Sequence, residues 1–418
     1  MSIQGPMIVV AENPATELVH ALGAAGAFPI VEAKWADAPT AFVAIKPAAV
    51  VIAEPGPPRS ESSSRMLCLQ IATVNGPIVP TLAMSHGDID AALPIALSID
   101  AGLPVERLIA RLQSAMRVRA LHATVLRRIE LFASNGGAMP AMPVGDALED
   151  ATVLIAGRGP LYPALSAAMA ARVKIMGALS VEGAAKLVAD RDIDGIVVGD
   201  GFSPRMVEQF LTMLAQEPSL RDIPISVIGE MDKDFSKTLV NIDRFDGDPA
   251  RIVARMVPLI RMHAFEARLK RMLKTLETDG IFDAETGLLT RDSFWRDLSK
   301  AIADAAERSL PLSLARYSFE GLTDLRANLD GARLVTRLIR NIDFACRDDD
   351  GSILVAFTQT DLRSAHVVAR RIAATLRDSM RGAGDQITAN VTLATLKNGD
   401  SIDSLMQRVV GSRMVAAE

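Results

Sequence analysis

The chain has 418 residues, of which 49% are hydrophobic and 23% charged. At roughly 150 residues per domain that is apolar material for two to four ordinary cores, and it excludes a mostly disordered chain. The 45 basic and 50 acidic residues give a formal net charge of −5, against the basic balance of general nucleic-acid binders. Two cysteines, Cys68 and Cys346, and five scattered histidines build neither a disulfide framework nor a structural zinc site. Met1 to Gly5 lack a basic segment followed by an apolar run, and no stretch of about 18 apolar residues occurs, so a cytoplasmic chain without membrane insertion is expected.

Met7-Ile8-Val9-Val10 predicts a buried strand and Pro14 to Ala25 a helix. Ala49 to Ile52 and Ile78 to Leu82 predict further strands, and Val105 to about Phe132 a long helix with Leu108, Leu112, Leu121, Val125 and Ile129 near one face. Ser134-Asn135-Gly136-Gly137 stops it, and a Met/Pro-rich linker follows to Gly145. The pattern then restarts. Thr152 to Ala156, Gly195 to Val198 and Pro224 to Ile228 predict strands, and a second long helix runs from Pro249 towards Leu276. Two copies of one α/β architecture, each a parallel sheet wrapped on both faces, are expected. Phe265, Leu269, Met272 and Leu276 form a short heptad-like seam. It fits either a dimeric stem or a helix packed on its own domain.

From about Asp283 the pattern changes. A helix over Ser293–Arg308 leads to the strand Leu312–Tyr317, a helix through Leu334 to Asn341, and a hairpin about Asp350-Gly351 with Ile353–Phe357 as its return strand. Asp-Gly is a favoured two-residue turn because both central residues need positive φ. A helix over Ala365–Met380 and a strand over Ile387–Leu396 follow.

Asp283-Ala284-Glu285-Thr286-Gly287-Leu288-Leu289-Thr290-Arg291 resembles the opening D-x-L-T-G-L-x-N-R signature of GGDEF (diguanylate cyclase) domains. Arg340-Asn341-Ile342-Asp343-Phe344-Ala345-Cys346-Arg347 resembles the run before the signature hairpin. The order of the three segments resembles PleD-type response regulators. The resemblance implies two flavodoxin-like (receiver) doubly wound domains, 1–135 and 148–278, and a degenerate GGDEF α/β domain, 279–418.

The family's magnesium aspartates fall on Arg316 and Ser318, and its signature turn on Asp349, Asp350, Gly351 and Ser352. Aspartates where glycines let the backbone approach a nucleotide add bulk and repulsive charge, so the resemblance implies no catalytic residue, no metal and a chain that is not an enzyme. Asp348-Asp349-Asp350 as a metal site competes with an acidic solvated turn, and the turn is preferred because consecutive strand residues alternate faces. The receiver phosphoacceptor positions fall on Ala53 and Glu54 in the first copy and on Gly199 and Asp200 in the second, without the usual magnesium acids, so ordinary phosphorelay is not expected.

One family site does match. Arg340 and Asp343 occupy the R-x-x-D of the inhibitory site, and Arg371 falls in register on the following helix. There arginines would fork onto guanine or phosphate oxygens of cyclic di-GMP and the aspartate would accept guanine N–H bonds. The alternative is a surface ion pair on a helix, since the two residues are three apart. The expectation is a cyclic di-GMP effector with no other cofactor, forming a homodimer or meeting protein partners through its receiver-like faces. A ligand-free scaffold is the competing expectation.

Overall fold

The computed structural model describes residues 5–53, 61–85, 96–134, 145–229, 231, 233–276, 281–320, 325–379, 388–411 and 415–416. They form three five-stranded sheets. The first has β1 (Met7–Val10), β2 (Ile30–Ala33), β3 (Ala49–Ile52), β4 (Thr81–Ser85) and β5 (Leu97–Asp100), all parallel, in the order β2-β1-β3-β4-β5. Its helices are α1 (Thr16–Ala24), α2 (Ala38–Ile45), α3 (Glu61–Ala72) and α4 (Val105–Ser134). The second repeats the order with β6 (Thr152–Ala156), β7 (Lys174–Ala178), β8 (Gly195–Val198), β9 (Ile225–Ile228) and β10 (Ile242–Phe245). Its helices are α5 (Tyr162–Ala170), α6 (Val181–Asp190), α7 (Pro204–Gln216) and α8 (Pro249–Leu276).

This is the doubly wound order 2-1-3-4-5, whose connections leave helices on both faces. The strands obey the consequence: β1, β3 and β8 are short β-branched runs buried at every position, as strands covered on two sides must be. Each sheet accordingly has a core on either face, and Leu259 of α8 packs into the core beneath α1 and α4.

The third sheet is antiparallel through its neighbouring strands, ordered β12 (Phe344–Arg347), β13 (Ile353–Thr358), β11 (Leu312–Glu320), β14 (Thr388–Thr395) and β15 (Val415–Ala416). Helices α9 (Arg291–Arg308) and α12 (Ile402–Gly411) cover one face, and α10 (Leu325–Leu338) and α11 (Leu362–Ser379) the other. Thr290 caps α9 by accepting from Ser293 N–H, which satisfies one of the orphan donors of its first turn.

The chain divides into two compact units, residues 1–119 with 141–270 and residues 120–140 with 271–418. The division falls inside α4 and α8; the repeat and the resemblance put boundaries near 140 and 280. The physical reason in α4 is charge. Arg127 Nε donates to Asp297 of α9 at 3.2 Å and Arg128 lies 3.0 Å from its other oxygen, with Asp297 fully buried. The seam Leu269, Met272 and Leu276 is buried within the chain itself.

The hairpin also differs from expectation. Five residues, 348–352, join β12 to β13, and of the Asp-Gly pair only Gly351 has positive φ, at 80°. No helix among the described residues is long and apolar enough to cross a membrane.

Candidate functional site at the third sheet

β11 alternates as period two requires. Leu312 and Leu314 enter the core under α9 and α12, while Ala315 and Tyr317 enter the opposite core. Arg316 and Ser318 continue the first face beyond its apolar end. Arg316 stands across from Leu354 of β13, beside the loop. Its Nε donates to Ser352 Oγ at 3.2 Å and its fork donates to Asp350. Ser352 N–H also donates to Asp350, at 2.9 Å. Partial burial would raise the Asp350 carboxyl, but the Ser352 bonds and the Arg316 guanidinium outweigh it and hold it at about 2.

The other two loop acids are held in the same way. Arg291 Nε donates to Asp348 at 2.8 Å and its fork lies 3.2 Å from Asp349. Asn328 donates to Gly351 O at 2.8 Å and accepts from Arg347 Nε at 2.6 Å. Thus each of the three consecutive aspartates faces an arginine, and the solvated turn expected from sequence is an ion-paired one. Magnesium, which cyclase chemistry employs, would find Asp350 already engaged by a cation at the strand position where a second carboxylate would be needed. These residues do not fit a two-ion site as they stand. Ser318 is half-buried opposite Asn390.

The Asp283–Arg291 signature folds as a turn. Asp283 Oδ1 accepts from Glu285 and Thr286 N–H at 2.8 and 2.9 Å, and Gly287 supplies φ +71°. Leu289 N–H then donates to Ala345 O at 2.9 Å, which fixes the turn beside β12 and delivers Arg291 to the loop acids.

Arg340 and Asp343 lie after α10, which ends at Leu338, so they are not a pair on a helix face. Asp343 is 6% exposed. Its carboxylate accepts from Thr358 N–H at 3.1 Å and Arg340 N–H at 3.4 Å. Burial pushes it up to about 7, against the pull of the Arg340 guanidinium and these two N–H groups. The acceptor that sequence reasoning offered to guanine is therefore turned inward and braces the loop. The Arg340 guanidinium takes no hydrogen bond or ion-pair partner from the described residues, and Arg371 is exposed on α11. α10 and α11 pack into one core on the same face of the sheet; α11 carries Arg371, and the loop that leaves α10 carries Arg340.

The strand ends of the parallel sheets carry less. Ala53 N–H continues the sheet to Val10 O at 2.9 Å; Glu54 lies outside the described residues. Gly199 N–H donates to Ala156 O at 2.6 Å, and a Cβ there would meet that oxygen at 3.3 Å. Asp200 lies under the loop 157–161: a Cβ on Gly159 would land 2.2 Å from its carboxylate, Oδ2 accepts from Leu161 N–H at 3.4 Å, and Oδ1 is buried without a partner.

Sequence reasoning did not foresee Asn328, Arg347 or the Arg127–Asp297–Arg128 clamp. Asp297, in the middle of an amphipathic helix on its apolar side with Phe294, Leu298 and Ala301, carried a signal, since a charge placed there needs a partner.

No protein-family model matches the chain. The diguanylate cyclase VdcA of Vibrio cholerae serotype O1 is 27% identical over 158 residues, covering 35% of this chain and 46% of that protein, so the chain spans less than half of that relative's length. Among solved structures, the coiled coil and GGDEF domain of DgcB from Caulobacter crescentus in complex with c-di-GMP is 22% identical, with a TM-score of 0.30, over 35% of this chain and 85% of that one. The active GGEEF domain of a diguanylate cyclase from Vibrio cholerae is 18% identical, with a TM-score of 0.28, over 30% of this chain and 88% of that one. About a third of the chain thus has homology to diguanylate cyclases. This corrects the expectation that the chain is not an enzyme: the relative found by sequence is itself named a diguanylate cyclase, and substituted signature residues are not positive evidence of inactivity.

Proposed function

We propose that the chain is a cyclic di-GMP signalling protein: a GGDEF-type third domain takes up the dinucleotide through Arg340 and Arg371, and two receiver-like repeats relay its occupancy to a partner. The observation that supports this best is the Arg340 guanidinium, which has no hydrogen-bond partner among the described residues, carried on a loop whose backbone Asp343 pins to the end of β13. A planar fork on a braced loop suits the bidentate recognition of guanine edges and phosphate oxygens. Arg371 on α11 supplies a second cation, and homology to a protein named a diguanylate cyclase supports this dinucleotide as the ligand.

Calorimetric titration of the full chain with cyclic di-GMP tests this. Uptake that Arg340→Ala weakens at least tenfold, with a smaller loss in Arg371→Ala, is the expected outcome. Equal affinity in wild type and both variants, or no uptake at all, overturns it.

The relative's name favours a second reading, in which the chain also synthesises the dinucleotide. Incubation with GTP and a divalent cation, with product quantified by chromatography, decides that separately from binding.

A further inference from the structure

Asp343 is buried beside the arginine proposed to bind the dinucleotide, and binding through Arg340 and Arg371 makes no use of it. It stands on the loop between α10 and β12, three residues after Arg340. Its Oδ1 accepts from Thr358 N–H at 3.1 Å and its Oδ2 from Arg340 N–H at 3.4 Å. An ionised carboxylate has about four acceptor sites. Two backbone donors, one of them long, leave it short of partners, and no charged side chain among the described residues donates to it.

The charged and titratable groups that bear on Asp343 come from three elements. Arg340 is on its own loop, half-buried, and its guanidinium charge acts on the carboxyl without a hydrogen bond between them. Arg127 of α4 acts on it too, but that guanidinium is already committed to Asp297 of α9. Tyr317 of β11 is fully buried nearby, with its hydroxyl unpartnered. Arg340 therefore has two competing uses. A neutral carboxyl has no charge to hold a guanidinium, so the fork is open to a ligand. An ionised, buried carboxylate gains most from a charge-assisted hydrogen bond, and the guanidinium that acts on it most strongly is that of Arg340.

We propose that Asp343 is a proton-operated gate on the dinucleotide site: neutral, it leaves the Arg340 fork to the ligand; ionised, it draws that fork inward and withdraws it. The gate rests on the dinucleotide site being the one proposed for Arg340 and Arg371. It is the opposite of an aspartate that accepts guanine N–H bonds, whose ionisation would help binding. Burial places the carboxyl at about 7 in the free chain. A ligand that favours the neutral form raises it further, by linkage. Affinity is then full below about pH 7, falls as pH rises through that value, and binding above it takes up protons.

Calorimetric titration of the full chain with cyclic di-GMP, at about pH 6 and about pH 8.5, tests the gate with Asp343→Asn beside wild type. The amide keeps an acceptor oxygen for the loop N–H groups and carries no charge. Wild type is expected to bind about tenfold more weakly at the higher pH. Asp343→Asn is expected to hold the low-pH affinity of wild type at both. Without ligand, carbon NMR of labelled aspartate, with the Asp343 signal assigned by its loss in Asp343→Asn, should show that carboxyl titrating higher in Arg340→Ala than in wild type. Circular dichroism checks that each variant folds. Wild-type affinity equal at both pH values, weakened low-pH binding in folded Asp343→Asn, or an Asp343 titration unmoved by Arg340→Ala overturns the gate and leaves the dinucleotide site standing. No uptake by wild type or Asp343→Asn at either pH overturns the dinucleotide site itself, and the gate with it.

Discussion

Both regions of the molecule bury an aspartate almost completely, and they treat it in opposite ways. In the parallel-sheet unit, burial would raise the Asp243 carboxyl, but the Arg111 fork, with Arg107 and Arg255 nearby, outweighs it and holds the group below the usual carboxylate range. In the third-sheet unit, Asp343 is met by two backbone N–H donors and the charges of Arg340 and Arg127, and burial wins, raising it to about 7. At Asp243 the guanidinium fork outweighs burial; at Asp343 two backbone N–H groups, one at 3.4 Å, do not. The first arrangement is a charge lock between elements of one compact unit. The second is a loop brace whose protonation changes near neutrality, beside the arginine proposed to bind the ligand.

Removing the lock is expected to have the largest effect. Asp243→Asn leaves Arg111 buried at 2% exposure without its counter-charge and should destabilise the parallel-sheet unit by about 3–5 kcal/mol, the cost of orphaning one member of a buried pair. Denaturant unfolding followed by circular dichroism measures it. A cost no greater than that of Asp343→Asn at the same pH would erase the contrast between the two aspartates.

The brace predicts a pH dependence of the opposite kind. The folded value for Asp343, about 7, lies above the unfolded carboxyl value of about 3.9, so the folded state holds the proton through that window. Its contribution to stability is complete below about pH 4 and is lost as pH rises towards 7, by a few kcal/mol in all. Arg340 from its own loop and Arg127 from α4 oppose the rise, and Tyr317 of β11 adds to the low polarity around it. Asp343→Asn should flatten this limb, its denaturant midpoint gaining steadily on that of wild type as pH rises from about 4 to 8. A wild-type limb that survives in the variant would assign the titration to another group.

The contrast also marks what could be read in the amino-acid sequence. All-apolar runs such as Gly195–Val198 announced doubly covered strands, and the restart of the pattern after Gly145 announced a second parallel sheet of the same order. Arg316 and Ser318, which the resemblance put at a strand end, lie within β11, on the face that period two makes them share with Leu312 and Leu314. What stayed hidden was pairing across long sequence separations. Arg111 and Asp243 are 132 residues apart, and nothing local in either segment names the other. Nor does anything local to α4 show that Arg127 and Arg128 pair with Asp297 of the third-sheet unit. Asp343 was named as a ligand acceptor from its motif position, and its inward turn follows from Thr358 N–H, a donor at a strand end that periodicity cannot reveal.

The exposed pair at the hairpin tests the comparison from its weak side. Arg316 and Asp350 are oppositely charged and in direct contact, as Arg111 and Asp243 are, but Asp350 is 51% exposed. Water already solvates the carboxylate, so removing its partner orphans nothing, and Arg316→Met should cost below about 1 kcal/mol. The sign is that of an ordinary depressed acid. The folded value of about 2 lies below the unfolded one, so the small contribution is present above about pH 4 and lost as pH falls towards 2. Denaturant midpoints from pH 5 to pH 2 should converge for wild type and Arg316→Met as Asp350 takes up its proton. The Ser352 bonds, which the variant keeps, preserve part of the acid limb. A loss near that of Asp243→Asn would mean that the hairpin carboxylate is as dependent on its arginine as the buried one, and that solvent access is not what separates them.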